Sequence, residues 1–69
     1  MGKIEIRLNG DAREIDGGLS VGALLALLGV PVPGAIVERN GEVVQRSRFD
    51  EQVVGAGDRV EIVRLMVGG

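Results

Sequence analysis

Few side chains in this sequence are equipped for chemistry. Cys and His are both absent. That removes thiolate nucleophiles, imidazole acid–base catalysis, disulfides and the usual zinc sites. Asp50 and Glu51 are adjacent, and Asp58 and Glu61 lie three residues apart around a turn. Nothing beside either pair would orient a reacting group. They read as a helix first-turn acid at Asp50, a turn acid at Asp58 and otherwise solvated surface. Ser20 and Ser47 read as helix caps, with no histidine to serve as their base. The GAGD stretch at 55–58 lacks the lysine and following helix of a phosphate loop and is better read as a turn. Arg7, Arg39, Arg46, Arg48, Arg59 and Arg64 alternate with acids, the pattern of a solvated face, with Arg46, Arg48 and Arg64 kept as partner-contact candidates. The chain is not expected to catalyse a reaction by itself.

The backbone offers more than the side chains. The sequence closes on RLMVGG, three apolar residues followed by Gly68 and Gly69. Glycine is 12 of the 69 residues, so a pair at one given place arises by chance about 3% of the time. Two residues without Cβ make the thinnest segment a chain can form, one that fits a narrow partner site where any side chain would clash. The α-carboxylate of Gly69 is the group such a segment would deliver. A carboxylate is a poor electrophile until it gains a leaving group. An ATP-using partner supplies one as AMP, which a sulfur or nitrogen nucleophile then displaces.

Composition narrows the partners. Net charge is −2, there is no basic run, and Phe49 is the sole aromatic, whereas nucleic-acid binding wants a positive stripe or stacking rings. No apolar stretch has the length of a membrane span, and MGKIEI has no apolar leader core. Ile6 stands where a myristoylation signal wants Ser or Thr. The expected address is cytoplasmic, without nucleic acid or membrane as a partner.

The elements that position the tail follow from periodicity. KIEIRL at 3–8 alternates as a half-buried strand. Asn9-Gly10-Asp11 is turn chemistry, and a weaker strand covers 12–16. After Gly17-Gly18, LSVGALLALLGV reads as a helix. Ser20 is its N-cap, Val21, Leu24, Leu25 and Leu28 form its apolar stripe, and Gly29 is its left-handed C-terminal cap. Leu27 lies off the stripe, and Gly22 weakens the first turn. So short a helix must be held by a sheet. Pro31, Pro33 and Gly34 form a stiff linker. Strands are expected at 35–39 and 42–45 about Asn40-Gly41, a strong hairpin signal. SRFD at 47–50 looks like a capping box opening one helical turn, with Phe49 plugging the core edge. The last strand, 59–66, puts Val60 and Ile62 on one face and Glu61, Val63 and Leu65 on the other. Apolar residues of both parities fit a central strand beside the first. The outcome is an α+β domain over 1–69 with one helix across one face of a mixed four- to five-stranded sheet, the β-grasp or ubiquitin-like fold, and a flexible tail from about 65 to 69.

At this point the sequence resembles a known family. AIVERNGEVVQRSRF followed by GAGDRVEIVRLMVGG is similar to the ThiS-type sulfur carriers of thiamine biosynthesis. The hairpin segment appears as Asn40 to Arg46, the GD strand as Gly57 to Val63, and the ending as Gly68-Gly69. Gln45 stands where the family usually has Pro, and Phe49 where it often has Trp. The related molybdopterin synthase small subunit shares the GD strand and the glycines but tends to be longer, with a proline approaching the tail that Leu65-Met66-Val67 lacks. The resemblance implies that a ubiquitin-activating-type enzyme adenylates the Gly69 carboxylate with MgATP. A sulfurtransferase-derived persulfide then converts it to a thiocarboxylate, and thiazole synthase takes the sulfur. The carrier itself binds no cofactor or metal. Val63, Leu65 and Val67, with Arg64 and Met66, are expected to dock the partners, because exposed apolar groups commonly mark such sites. A sulfur carrier for molybdopterin synthesis stays as an alternative, and two other classes share the fold. A protein modifier would join Gly69 to a target lysine, and an interaction module would leave the tail inert.

Overall fold

A computed structural model describes residues 2–65, and Met1 and residues 66–69 lie outside the described residues. Strand β1 (Lys3–Leu8) turns through Asn9-Gly10 into β2 (Asp11–Asp16), followed by helix α1 (Val21–Leu28), β3 (Ala35–Arg39), β4 (Glu42–Val44), a 3₁₀ turn at Arg46–Arg48 and β5 (Arg59–Arg64). The strands form one sheet in the order β2-β1-β5-β3-β4. Among the described residues only β1 and β5 run parallel; β1–β2, β3–β4 and β3–β5 are antiparallel. The central place of β5 beside β1 is the one its two-parity pattern calls for.

Alternation sets the buried face. Ile6 of β1, Ile15 of β2, Ala35 and Val37 of β3 and Val60 of β5 point into one cluster, and Val21, Leu24 and Leu25 of α1 cover it. Phe49 and Val54 complete the cluster from the β4–β5 connection. Burying a side chain of this size contributes about 1.5–3 kcal/mol, which is what holds an eight-residue helix that would not persist in water alone.

The helix start is tied on three sides. The Ser20 hydroxyl accepts from the Ala23 N–H at 3.0 Å. The Val21 N–H donates to the Gln52 carbonyl at 2.8 Å and the Gly22 N–H to the Phe49 carbonyl at 2.9 Å. Three first-turn donors that a helix cannot satisfy internally thus find acceptors. Gly22 costs helix propensity but admits this strap, since a Cβ there would stand 2.7 Å from an Asp50 carboxylate oxygen. Gly29 closes the helix with φ +70°.

Several local expectations change. The turn after β4 begins at Arg46 and is preceded by Gln45, with no side-chain cap, so Ser47 lies inside it and caps nothing. Its hydroxyl cannot serve a turn that has already started. Asp50 follows the 3₁₀ turn and does not open a helix. β2 begins at Asp11, β4 ends at Val44 and β5 ends at Arg64. No helix among the described residues is long and apolar enough to cross a membrane.

Candidate functional site

The expected site begins where β5 runs out. β5 pairs with β3 through Ala35↔Arg64, Ile36↔Val63, Val37↔Ile62, Glu38↔Glu61 and Arg39↔Val60. Beyond that register the Leu65 N–H donates to the Gly34 carbonyl at 2.7 Å, so backbone pairing reaches the last described residue. Val60 is buried and Ile62 packs against the core, whereas Val63 is 54% and Leu65 57% exposed. Strand alternation therefore divides β5 as the sequence indicates. It also puts Arg64 on the opposite side of the strand from Val63 and Leu65, exposed at the sheet's end. Met66, Val67, Gly68 and Gly69 lie outside the described residues.

The structure adds residues to this outer face. Ile36, 37% exposed, lies directly across from Val63. Val43, 63% exposed, stands on β4 across from Glu38. Both lie in strands expected from the sequence, to which periodicity assigns no face. The signal was available in AIVER, where Ile36 has the opposite parity to Ala35 and Val37, but only the β3–β5 register brings it to Val63.

At the other end of β5 the acid read as a plain turn residue proves to be a hub. Asp58 is buried at 8% exposure. One carboxylate oxygen accepts from the Gly55 N–H and from Arg39 Nε, both at 2.7 Å. The other accepts from Asn40 Nδ2 at 3.1 Å. Arg39 is thus a structural partner of Asp58 and not part of a free cationic face. Burial works against the Asp58 charge, but the bonds from Gly55, Asn40 and Arg39, with the Arg39 charge, outweigh it and hold the carboxyl below its usual range. A carboxylate kept ionised by three donors is a poor general base. Its role is to pin the turn that launches β5 onto the β3–β4 hairpin.

Among the described residues no group of three or more acids could hold a metal ion. A groove of about 310 Å³ beside β4 is lined by Arg39, Glu42, Val43, Val44, Gln45, Arg48 and Gln52, with one carboxylate and no hydroxyl. The arrangement offers a packed platform with an apolar outer strip that leads to the tail.

A five-stranded mixed sheet in this order, with one helix between β2 and β3 across one face, is the β-grasp or ubiquitin-like fold. The sequence matches the model of the ThiS family over residues 6–69, and the chain belongs to that family. Among solved structures, the crystal structure of the thiamine biosynthesis protein ThiS from Geobacter metallireducens superposes with a TM-score of 0.83 at 39% identity, covering 96% of this chain and 100% of that one. The solution structure of a thiamine biosynthesis protein from the same organism gives 0.80 at 39% identity, covering 96% and 88%. SAMP1 from Haloferax volcanii, at 22% identity and a TM-score of 0.55, shares the fold. Two curated relatives are named thiazole synthase, from Paramagnetospirillum magneticum at 38% and Magnetococcus marinus at 33% identity, each over 66 residues and 96% of this chain. The chain spans about a fifth of the length of these two relatives.

Proposed function

We propose that this chain is a sulfur carrier for thiamine synthesis, with the Gly69 carboxylate as the group that bears the sulfur. The reading rests on one observation above the rest, the family match that runs through Gly68-Gly69. A ubiquitin-activating-type enzyme joins the carboxylate to AMP from MgATP and releases pyrophosphate. The terminal sulfur of a sulfurtransferase-derived persulfide attacks the acyl carbon and AMP leaves. A thiol then reduces the remaining S–S bond and frees the thiocarboxylate. The relatives named thiazole synthase support that enzyme as the sulfur acceptor. In this scheme the chain is a co-substrate and holds no cofactor; MgATP belongs to the activating partner. Val63 and Leu65, with Ile36 across from Val63, are the exposed groups best placed to dock the partners. Arg64, Met66 and Val67 stay within the proposed contact set.

The test is the intact mass of the protein after incubation with the activating enzyme, MgATP and a persulfide donor. Replacement of one oxygen by sulfur on the Gly69 fragment supports the carrier. Conjugates through Gly69 to lysines of other proteins would replace it with the modifier reading, and an unchanged mass would sink both. Gly68→Ala, or one residue added after Gly69, is expected to leave thermal stability unchanged and abolish adenylation. Normal activation of either variant would overturn the narrow-site reasoning.

A further inference from the structure

The residue that receives Leu65 has an unusual set of constraints. The Val32 carbonyl accepts from the Ala35 N–H at 3.0 Å, with Pro33 and Gly34 at the two central positions and φ +84° at Gly34. This is the pattern of a type II turn, which favours glycine at its third position. The Gly34 carbonyl accepts the Leu65 N–H at 2.7 Å. A Cβ on Gly34 would stand 3.1 Å from the Leu65 carbonyl oxygen. The backbone on both sides of Leu65 is therefore set against a single residue, where any L side chain would crowd a backbone oxygen and most would also be strained in φ. No other part of the β3–β5 pairing carries both constraints.

We infer that Gly34 is a positioning residue for activation of the C-terminus, acting through Leu65 and resting on the sulfur-carrier reading. Four residues reach at most about 14 Å, so a partner docked on the sheet can receive the Gly69 carboxylate only within that radius of Leu65. Gly34 sets where Leu65 stands and how its carbonyl points, and hence where the span begins. Gly34 itself makes no part of the outer strip, and although Leu65 does, Ile36 and Val63 are fixed by the β3–β5 register, so most of the docking contact is kept when Leu65 shifts. A displaced reacting group lowers turnover steeply, on the order of a hundredfold for an ångström, while contacts made elsewhere keep KM.

The experiment compares wild type with Gly34→Ala, Gly34→Asn and a synthetic chain carrying D-alanine at position 34. Asn tolerates left-handed φ yet keeps the Cβ contact. D-alanine favours φ near +84° and puts its methyl on the other side. Activation is followed by ATP–pyrophosphate exchange with a ubiquitin-activating-type enzyme of the source organism, and Leu65 amide exchange by NMR. Ala and Asn are expected to lower kcat on the order of tenfold or more, hold KM within about twofold and speed Leu65 exchange, with D-alanine close to wild type in all three. Wild-type kcat in the Ala or Asn chain, or equal loss in the D-alanine chain, overturns the role of Gly34 alone. Failure of the wild-type chain to be activated overturns the carrier reading and this one with it.

Discussion

Asp58 shows what a single residue hides in sequence. Its three donors come from Gly55, nearby, and from Arg39 and Asn40, nineteen and eighteen positions away. No spacing rule joins an acid to partners on a different hairpin, so a turn acid was all that GAGD could suggest. Removing the carboxylate leaves a partly buried guanidinium and an amide N–H without acceptors. Asp58→Ala is expected to cost about 2–3 kcal/mol in urea unfolding at neutral pH. The pH dependence has a definite sign. The folded carboxyl lies below its usual value, and an unfolded Asp titrates near 3.9. The stabilisation is therefore complete above about pH 5 and fades as pH falls through the lowered folded value. The gap between wild type and Asp58→Ala should narrow in acid, and a gap constant from pH 7 to pH 3 would show that the charge contributes nothing.

At the scale of elements, sequence was most informative where one period governs a segment. β1, α1 and the Asn40-Gly41 hairpin were legible because their burial is local and regular. The region after β4 was not. Its turn and the 49–54 stretch are shaped by contacts with the helix start, so the SRFD motif misled about Ser47. The two Asn-Gly turns carry a further role that periodicity cannot register. Asn9 and Asn40 both take positive φ, and both side chains reach β5. Asn9 Oδ1 accepts from the Ile62 N–H at 2.8 Å, extending a β1–β5 ladder that pairs only Arg7↔Arg59 and Leu8↔Val60. Asn40 Oδ1 accepts from the Arg59 N–H at 2.9 Å. The central strand is thus fastened near both of its ends by turn residues of the hairpins beside it. Glycine keeps the turn conformation while deleting the side chain. Asn9→Gly is expected to cost about 0.5–1.5 kcal/mol and Asn40→Gly about 2–4 kcal/mol, because the latter also removes the Nδ2 bond to the Asp58 carboxylate, with faster exchange at the Ile62 amide in the first and the Arg59 amide in the second. Unchanged exchange at those amides would mean the side chains fasten nothing.

For the whole molecule the question is how one small sheet divides between holding itself together and meeting a partner. The inner face carries the core beneath α1, and among the described residues the outer face carries Ile36, Val63, Leu65 and Val43 exposed. Half of that strip was legible, since Val63 and Leu65 fall on the off-core parity of a strand whose inner parity was plain. Ile36 and Val43 join them only through inter-strand register, which no single strand encodes. If the strip is where the proposed partners dock, a charge placed there should disturb binding far more than folding. Ile36→Lys and Val63→Lys remove no core contact, and their stability cost should stay within about 1 kcal/mol, the span of strand propensities at exposed sites. Affinity for the activating enzyme, measured by calorimetry, should fall at least about tenfold, because a lysine ammonium would be stripped of water inside an apolar contact. Leu27→Lys is the matched control. Leu27 is 62% exposed on the helix side of the sheet, so it loses as much apolar surface in the wrong place. Equal affinity losses at all three positions would reduce the effect to general stickiness, and no loss at Ile36 or Val63 would move the docking site off the sheet face.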